Sequence, residues 1–156
     1  MFNANKSGKS EQKPFSDGKG KGNSYVQTIL ELEIKTYDID VAGHVNNAVY
    51  VQWIEDLRIK FFNEHFNLPE LIEKKLYPVV ISTDIQYKKF LKLYDKLVGV
   101  MKIESQNHGI FTLQAEISVE GEIAASAMQK CVITDLEKSA MITGSQLQEI
   151  IKDLQR

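Results

Sequence analysis

From Tyr25 onward the apolar residues of this chain follow two periods, and each change of period marks an element. Leu30, Leu32 and Ile34 alternate with Glu31, Glu33 and Lys35, the period-2 pattern of a half-buried strand. Tyr50, Ile54, Leu57 and Phe61 then follow the i, i+4, i+7, i+11 series of one helix face, which predicts a helix from about Asn47 to His65. Asn67, Leu68 and Pro69 supply a cap and an early proline for a short second helix ending near Lys75. Pro78 opens a strand from about Val79 to Lys89, and another runs from about Leu97 to Glu104. After the turn Gln106 to Gly109, Phe111, Leu113, Ala115, Ile117 and Val119 alternate strictly with polar residues. A Glu120-Gly121 turn leads into a last strand from about Glu122 to Thr134. Ser145 with Gln148 resembles a capping box, ahead of an apolar stripe of Leu147, Ile150, Ile151 and Leu154.

One long helix between a first strand and a later run of antiparallel strands is an α+β pattern, not the regular alternation of a parallel sheet. The helix must bury its stripe, and the concave face of a twisted antiparallel sheet is the surface available to it. Residues 1–24 break this order. Glycines and lysines alternate there, and Phe2 and Phe15 are the only large apolar anchors, too few to offset the cost of ordering the segment. The reading is a disordered tail followed by one domain over residues 25–156.

Composition narrows the function classes. A net charge of −2 gives no electrostatic footprint for nucleic acid. No apolar stretch approaches the roughly 20 residues that span a bilayer, and the tail lacks the apolar core of a secretory signal. Cys131 is the only cysteine, so no intrachain disulfide can form and a reducing, cytoplasmic setting is the simpler expectation. Within its strand-like run it reads as a small core residue. No metal-binding spacing of His, Cys or carboxylates occurs, and no cofactor is called for.

The chemistry concentrates in Tyr37-Asp38-Ile39-Asp40-Val41-Ala42-Gly43-His44-Val45-Asn46-Asn47, directly before the long helix. A helix start offers unpaired N–H groups and partial positive charge, which suit an anion or a polarised carbonyl oxygen. A carboxylate held beside that place can attack a carbonyl carbon or activate water against it, so acyl transfer is the first reading. Asp in a loop before a helix is also an ordinary turn former or cap. Gly43 permits a positive φ or a close approach to substrate. His44 can be a general acid or base, or a polar wall residue; both readings stay open. Asn46 and Asn47 are cap residues whose backbone N–H groups can hold an oxyanion.

The block Asp-x-Asp-x-x-Gly-His-Val-Asn-Asn-x-x-Tyr from Asp38 to Tyr50, followed by Trp53, Glu55 and Arg58, resembles hot-dog-fold thioesterases of the 4-hydroxybenzoyl-CoA thioesterase type. Plant acyl-ACP thioesterases carry a similar His-Val-Asn-Asn element. The resemblance runs from about Tyr25 to about Asp135. It implies an antiparallel sheet wrapped around one long central helix, and a homodimer or homotetramer with active sites at the subunit interface. It also implies that Asp40, the second acid, is catalytic, with Asp38 left to stabilise the loop. The thioester carbonyl would be polarised near Asn46 and Asn47. The plant enzymes place a functional Asn two residues before the His; Ala42 stands there in this chain, so that assisted mechanism is not carried over.

The expected function is therefore hydrolysis of an acyl thioester, of CoA or of acyl carrier protein, to free acid and thiol. Asp40, His44, Asn46 and Asn47 are the catalytic candidates. Gly43, Glu55, Lys88 and Lys89 are the substrate-binding ones. Glu55 can pair with Arg58 on the helix surface or line the acyl end of the pocket. The lysines at 88, 89 and 92 are either solvated surface or a phosphate-receiving cluster. Trp53, Phe61 and Phe62 read as core, His108 as solvent-facing, and His65 as a helix-end residue. Two rivals use the same architecture: a dehydratase or hydratase of hydroxyacyl or enoyl thioesters, and a non-catalytic acyl-CoA-binding module.

Overall fold

A computed structural model describes residues 26–154, so the expected tail and Tyr25 lie outside the described residues. The first strand, β1, is Gln27–Leu32, and a single 3-10 turn follows at Thr36–Asp38. The long helix α1 spans Asn47–Phe66, and a short α2 spans Leu68–Glu73. Four strands succeed one another: β2 at Leu76–Tyr87, β3 at Leu97–Asn107, β4 at Ile110–Val119 and β5 at Glu122–Asp135. A two-residue β6, Ala140–Met141, and the helix α3, Gly144–Leu154, complete the described chain. The sheet order is β1-β3-β4-β5-β2, with every pairing antiparallel and β6 attached to β5. This is the hot-dog arrangement of a sheet around one long helix.

Local chemistry explains the element ends. Asn46 caps α1, its Oδ1 accepting from the Ala48 N–H at 2.9 Å. Asn67 ends the helix at φ +46, a left-handed conformation that Asn tolerates, and the chain restarts in α2. The β3–β4 and β4–β5 hairpins turn through His108-Gly109 and Glu120-Gly121, all four at positive φ, as two-residue turns with the twist of a hairpin require.

Several boundaries differ from the sequence expectation. Pro78 does not open β2; the strand begins at Leu76 and Pro78 pairs with Ile133 inside it. β2 is an edge strand, where a missing N–H costs no ladder bond on the outer side. β2 also ends at Tyr87, because Lys88 and Lys89 both turn their N–H groups to the Ala124 carbonyl. α2 stops at Glu73, two residues before a left-handed Lys75. Gly144 already belongs to α3, so Ser145 lies inside the first turn instead of capping it. β6 is too short for any periodicity to announce.

The core has two parts. Around the C-terminal half of α1, Phe61, Phe62, Phe66, Leu71 and Phe111 pack together. Around its N-terminal half, Tyr50 and Trp53 pack with Leu32, Leu91, Leu97 and Val119. α1 lies mainly across β1 and β3. Gly99 permits that approach, since a Cβ there would stand 2.8 Å from Leu57 Cδ1. Thr28, buried in β1, donates to Glu64 Oε2 at 2.5 Å and pins the far end of the helix to the same strand. His65 takes part in this anchor, with Nε2 3.1 Å from the Gln27 carbonyl oxygen. Its position therefore reflects a strand contact more than a free helix end.

Candidate active site

The loop before α1 is a small closed hairpin. Ile39 and Val45 form a bridge, the Asp40 N–H donates to the His44 carbonyl at 2.8 Å, and the Gly43 N–H donates to the Asp40 carbonyl at 3.0 Å. Gly43 sits at φ +79 with nothing near the place of a Cβ, so glycine is needed for the turn and not to avoid a neighbour. Below the hairpin Asp38 is buried. Its Oδ2 accepts from the Lys35 N–H and its carbonyl from the Asn46 N–H, each at 2.8 Å. Asp38 is thus the loop-holding acid that the sequence suggested.

Asp40 differs in every respect. It is exposed, and one oxygen, Oδ1, accepts from the Ala42 N–H at 2.8 Å and the His44 N–H at 3.2 Å. Its second oxygen accepts no hydrogen bond among the described residues. The carboxylate is therefore oriented by the turn while half of its accepting capacity stays free.

At the helix start, the donors are not equivalent. The Asn46 N–H is spent on Asp38, and the Ala48 N–H on the Asn46 side chain. The Asn47 N–H has no partner among the described residues and lies at the positive end of a 20-residue helix. Of the two asparagines, Asn46 builds the cap and Asn47 keeps a donor.

The segment after β2 closes the loop from the other side, which the sequence did not reveal. The Val45 N–H donates to the Leu91 carbonyl at 2.8 Å, and the Tyr87 hydroxyl donates to the Asn47 carbonyl at 3.2 Å. His44 stacks on Phe90 with ring centroids 4.4 Å apart and planes within 8°. Tyr87 meets Tyr50 edge-on at 5.0 Å. Burial, with Tyr87 and Asp95 adding to it, pushes the Tyr50 phenol up to about 12. No spacing rule links residues 44–50 to 87–91; only the antiparallel return of the sheet brings them together.

The remaining candidates fall into two places. Lys88 and Lys89 are exposed on the segment that carries Phe90, and Lys89 pairs with Glu122 at 2.7 Å. Glu55 is not at the loop. It lies two turns along α1, half-exposed, and pairs with Arg58. Arg58 in turn reaches Cys131 in β5. Burial pushes the Cys131 thiol up, against the opposing pull of the Arg58 guanidinium, so this cysteine is a core residue and a poor nucleophile. His108 is exposed at its hairpin tip. A groove of about 1070 Å³ runs along residues 31–37 and 93–98 at the foot of the loop, and none of the catalytic candidates lines it.

Residues 34–155 match the family model described as the thioesterase-like superfamily. The chain belongs to that superfamily. Long-chain acyl-CoA thioesterase FadM of Escherichia coli (strain K12) is 24% identical over 127 residues, covering 80% of this chain and 96% of FadM. Among solved structures, the DHNA-CoA thioesterase from Staphylococcus aureus superposes with a TM-score of 0.71 at 18% identity, covering 83% of this chain and 91% of its own. The gentisyl-coenzyme A thioesterase BH1999 gives a TM-score of 0.69 at 25% identity, covering 78% and 99%. The three names carry three different acyl groups, so membership of the superfamily fixes the thioester chemistry and leaves the acyl group to this chain's own residues.

Proposed function

We propose that this protein hydrolyses acyl-CoA thioesters with Asp40 as the reacting carboxylate. The observation that carries this reading is the half-free, turn-oriented Asp40 carboxylate on the same loop as the uncommitted Asn47 N–H. The thioester carbonyl oxygen accepts from that N–H, where the helix end favours the charge that develops on it; one such donor is worth about 3 kcal/mol of transition-state stabilisation. The free oxygen of Asp40 then either attacks the carbonyl carbon, giving an anhydride that water cleaves, or removes a proton from a water that attacks directly. Either route consumes one water and releases an acid and a thiol, with no metal or redox group needed in the step. Single turnover in oxygen-labelled water separates them, because only the anhydride route can leave label in Asp40.

His44 supports the wall of the site. Asp40 accepts from its backbone N–H and its ring lies on Phe90; among the described residues no carboxylate pairs with the imidazole, as a dehydratase acid/base pair would require. Lys88 and Lys89 lie on the adjoining segment, suited to the phosphates of CoA as point charges. The lone, buried Cys131 fits a cytoplasmic setting, and no helix among the described residues is long and apolar enough to cross a membrane.

The site also stands at a free sheet edge. β2 has no partner on its outer side among the described residues, and Val79 and Ile81 are exposed along it. A 12-residue apolar edge strand invites pairing, and a second copy of the chain joined there would seat two sites at the interface. Sedimentation should find a dimer or a dimer of dimers; a monomer fully active at micromolar concentration would refute the shared site. The activity itself is tested by thiol release from short, medium, long and aromatic acyl-CoA substrates. Water addition to an enoyl-CoA without thiol release would put the dehydratase reading first.

A further inference from the structure

Tyr87 is tied to α1 by a hydrogen bond that the fold does not need. Its hydroxyl donates to the Asn47 carbonyl at 3.2 Å, across 40 residues of sequence. In the helix ladder that carbonyl also accepts from the N–H four residues on, so the phenol is a second donor to it. Tyr87 is 44% exposed, and its hydroxyl would lose little by turning to water instead. A neutral hydrogen bond in such a place adds little to stability.

The phenol is nevertheless held firmly where it stands. Tyr87 is the last residue of β2 and pairs with Ala125, and the N–H groups of Lys88 and Lys89 both donate to the Ala124 carbonyl, so this strand end is fixed to β5. Its ring meets Tyr50 edge-on at 5.0 Å, and Tyr50 meets Trp53 edge-on at 5.3 Å, both of them buried. α1 otherwise rests mainly on β1 and β3, so Tyr87 supports its first turn from the other edge of the sheet. On the helix side, the peptide before Asn47 is held by the Val49 N–H, which donates to the Asn46 carbonyl at 3.0 Å. The peptide after it is held at the Ala48 N–H by the Asn46 side chain, and at the Asn47 carbonyl by Tyr87. Both planes that flank the Asn47 Cα are pinned, and with them the direction of its N–H.

We infer that Tyr87 is a positioning residue for thioester hydrolysis: its hydroxyl holds the first turn of α1 so that the Asn47 N–H meets the oxygen of the tetrahedral intermediate. This rests on the proposal that the Asn47 N–H receives the thioester oxygen. Helix ends fray, and a first-turn N–H without a partner of its own is free to swing with its peptide. A donor that swings still meets the neutral carbonyl of a bound ester, but it loses part of its worth against the charge that develops later. The effect therefore falls on turnover and spares binding. Removing an oxyanion donor outright costs about 10²–10³ in turnover, and loosening one that stays in place costs less, roughly tenfold.

The test measures kcat, KM and melting temperature in the full chain and in Tyr87→Phe, which keeps the ring against Tyr50 and removes only the hydroxyl. Inhibition is measured alongside with trifluoroacetonyl-CoA, whose hydrated ketone offers the oxygens of a tetrahedral intermediate, and with S-propyl-CoA, a thioether without a carbonyl. In Tyr87→Phe, kcat should fall by roughly tenfold while KM and S-propyl-CoA affinity stay within about twofold. Affinity for the ketone should fall by roughly the factor lost from kcat. Melting temperature should move by less than about 3 °C. A normal kcat in Tyr87→Phe overturns the inference while leaving thioester hydrolysis intact. Equal losses of affinity for the two inhibitors overturn it by placing the phenol in CoA binding. A kcat loss that comes with a large drop in melting temperature overturns it as well, by making the hydroxyl structural. Absence of thiol release from every acyl-CoA refutes the thioesterase reading, and this inference falls with it.

Discussion

The two flanks of α1 belong to one helix on one sheet, and they are finished in opposite ways. Toward β1 and β3, Trp53 and Leu57 are sealed against Leu32, Leu97 and Gly99, and Thr28 locks Glu64 at the far end. Toward β5 and β2, Val51 is 48% exposed, Glu55 and Arg58 are charged, and the floor is alanine, glutamine and cysteine. The first flank spends apolar area on holding the helix. The second leaves Val51 and the Glu55–Arg58 pair at the surface, above a floor that is itself buried. A helix clamped along one side is a rigid support, and rigidity of support is what keeps an adjoining loop in geometry.

The sharpest way to break this contrast is at the loop it serves. Asp40→Asn keeps an Oδ1 that can accept from Ala42 and His44, so the turn survives while the proposed base or nucleophile is lost. Turnover should fall by roughly 10²–10⁴, with melting temperature nearly unchanged. Asp38→Asn and His44→Ala should each lower turnover less. Near-normal turnover in Asp40→Asn together with an inactive His44→Ala would transfer the chemistry to the imidazole.

Next in size is the sealed flank. Leu57→Ala should destabilise the protein by about 2–5 kcal/mol in denaturant titration, the range for a fully buried leucine. Val51→Ala, on the open flank, should cost less than about 1 kcal/mol and instead change the KM for acyl-CoA substrates. Similar stability losses at both positions would show that the second flank is as sealed as the first.

Tyr50 gives a smaller effect with a defined sign. Its folded phenol titrates at about 12, whereas the unfolded chain's would titrate near 10.0. Above pH 10 the unfolded state gives up a proton that the folded state keeps, so stability declines between these two values and levels off beyond them. Two units amount to roughly 2–3 kcal/mol. Tyr50→Phe should remove that part of the alkaline slope; an unaltered slope would mean that other groups cause it. Smallest of all is the tail. Deleting residues 1–22 should leave melting temperature and thiol release almost unchanged, because the segment has little to bury. A large loss of either would mean that it docks on the domain.

The sequence by itself determined the elements and the loop. Strict alternation in residues 111–119, the i+4 and i+7 spacing after Asn47, and the acid–Gly–His–Asn–Asn block are local signals. Local backbone preference and one-sided burial act within a few residues, so they leave a readable trace. The separation of Asp38 from Asp40 was legible only through the family resemblance, which singles out the second acid; turn preference alone treats the two alike. What the tertiary structure decided is everything that depends on return of the chain. Tyr87, Phe90 and Leu91 meet the loop only because β2 comes back alongside β5. Asn46 loses its N–H to Asp38 only once the hairpin closes. Gln129 looks like any polar strand residue until register places it on the core face with its oxygen unpaired. Strand register is a non-local choice made by the whole sheet, and no window of sequence around those residues contains it.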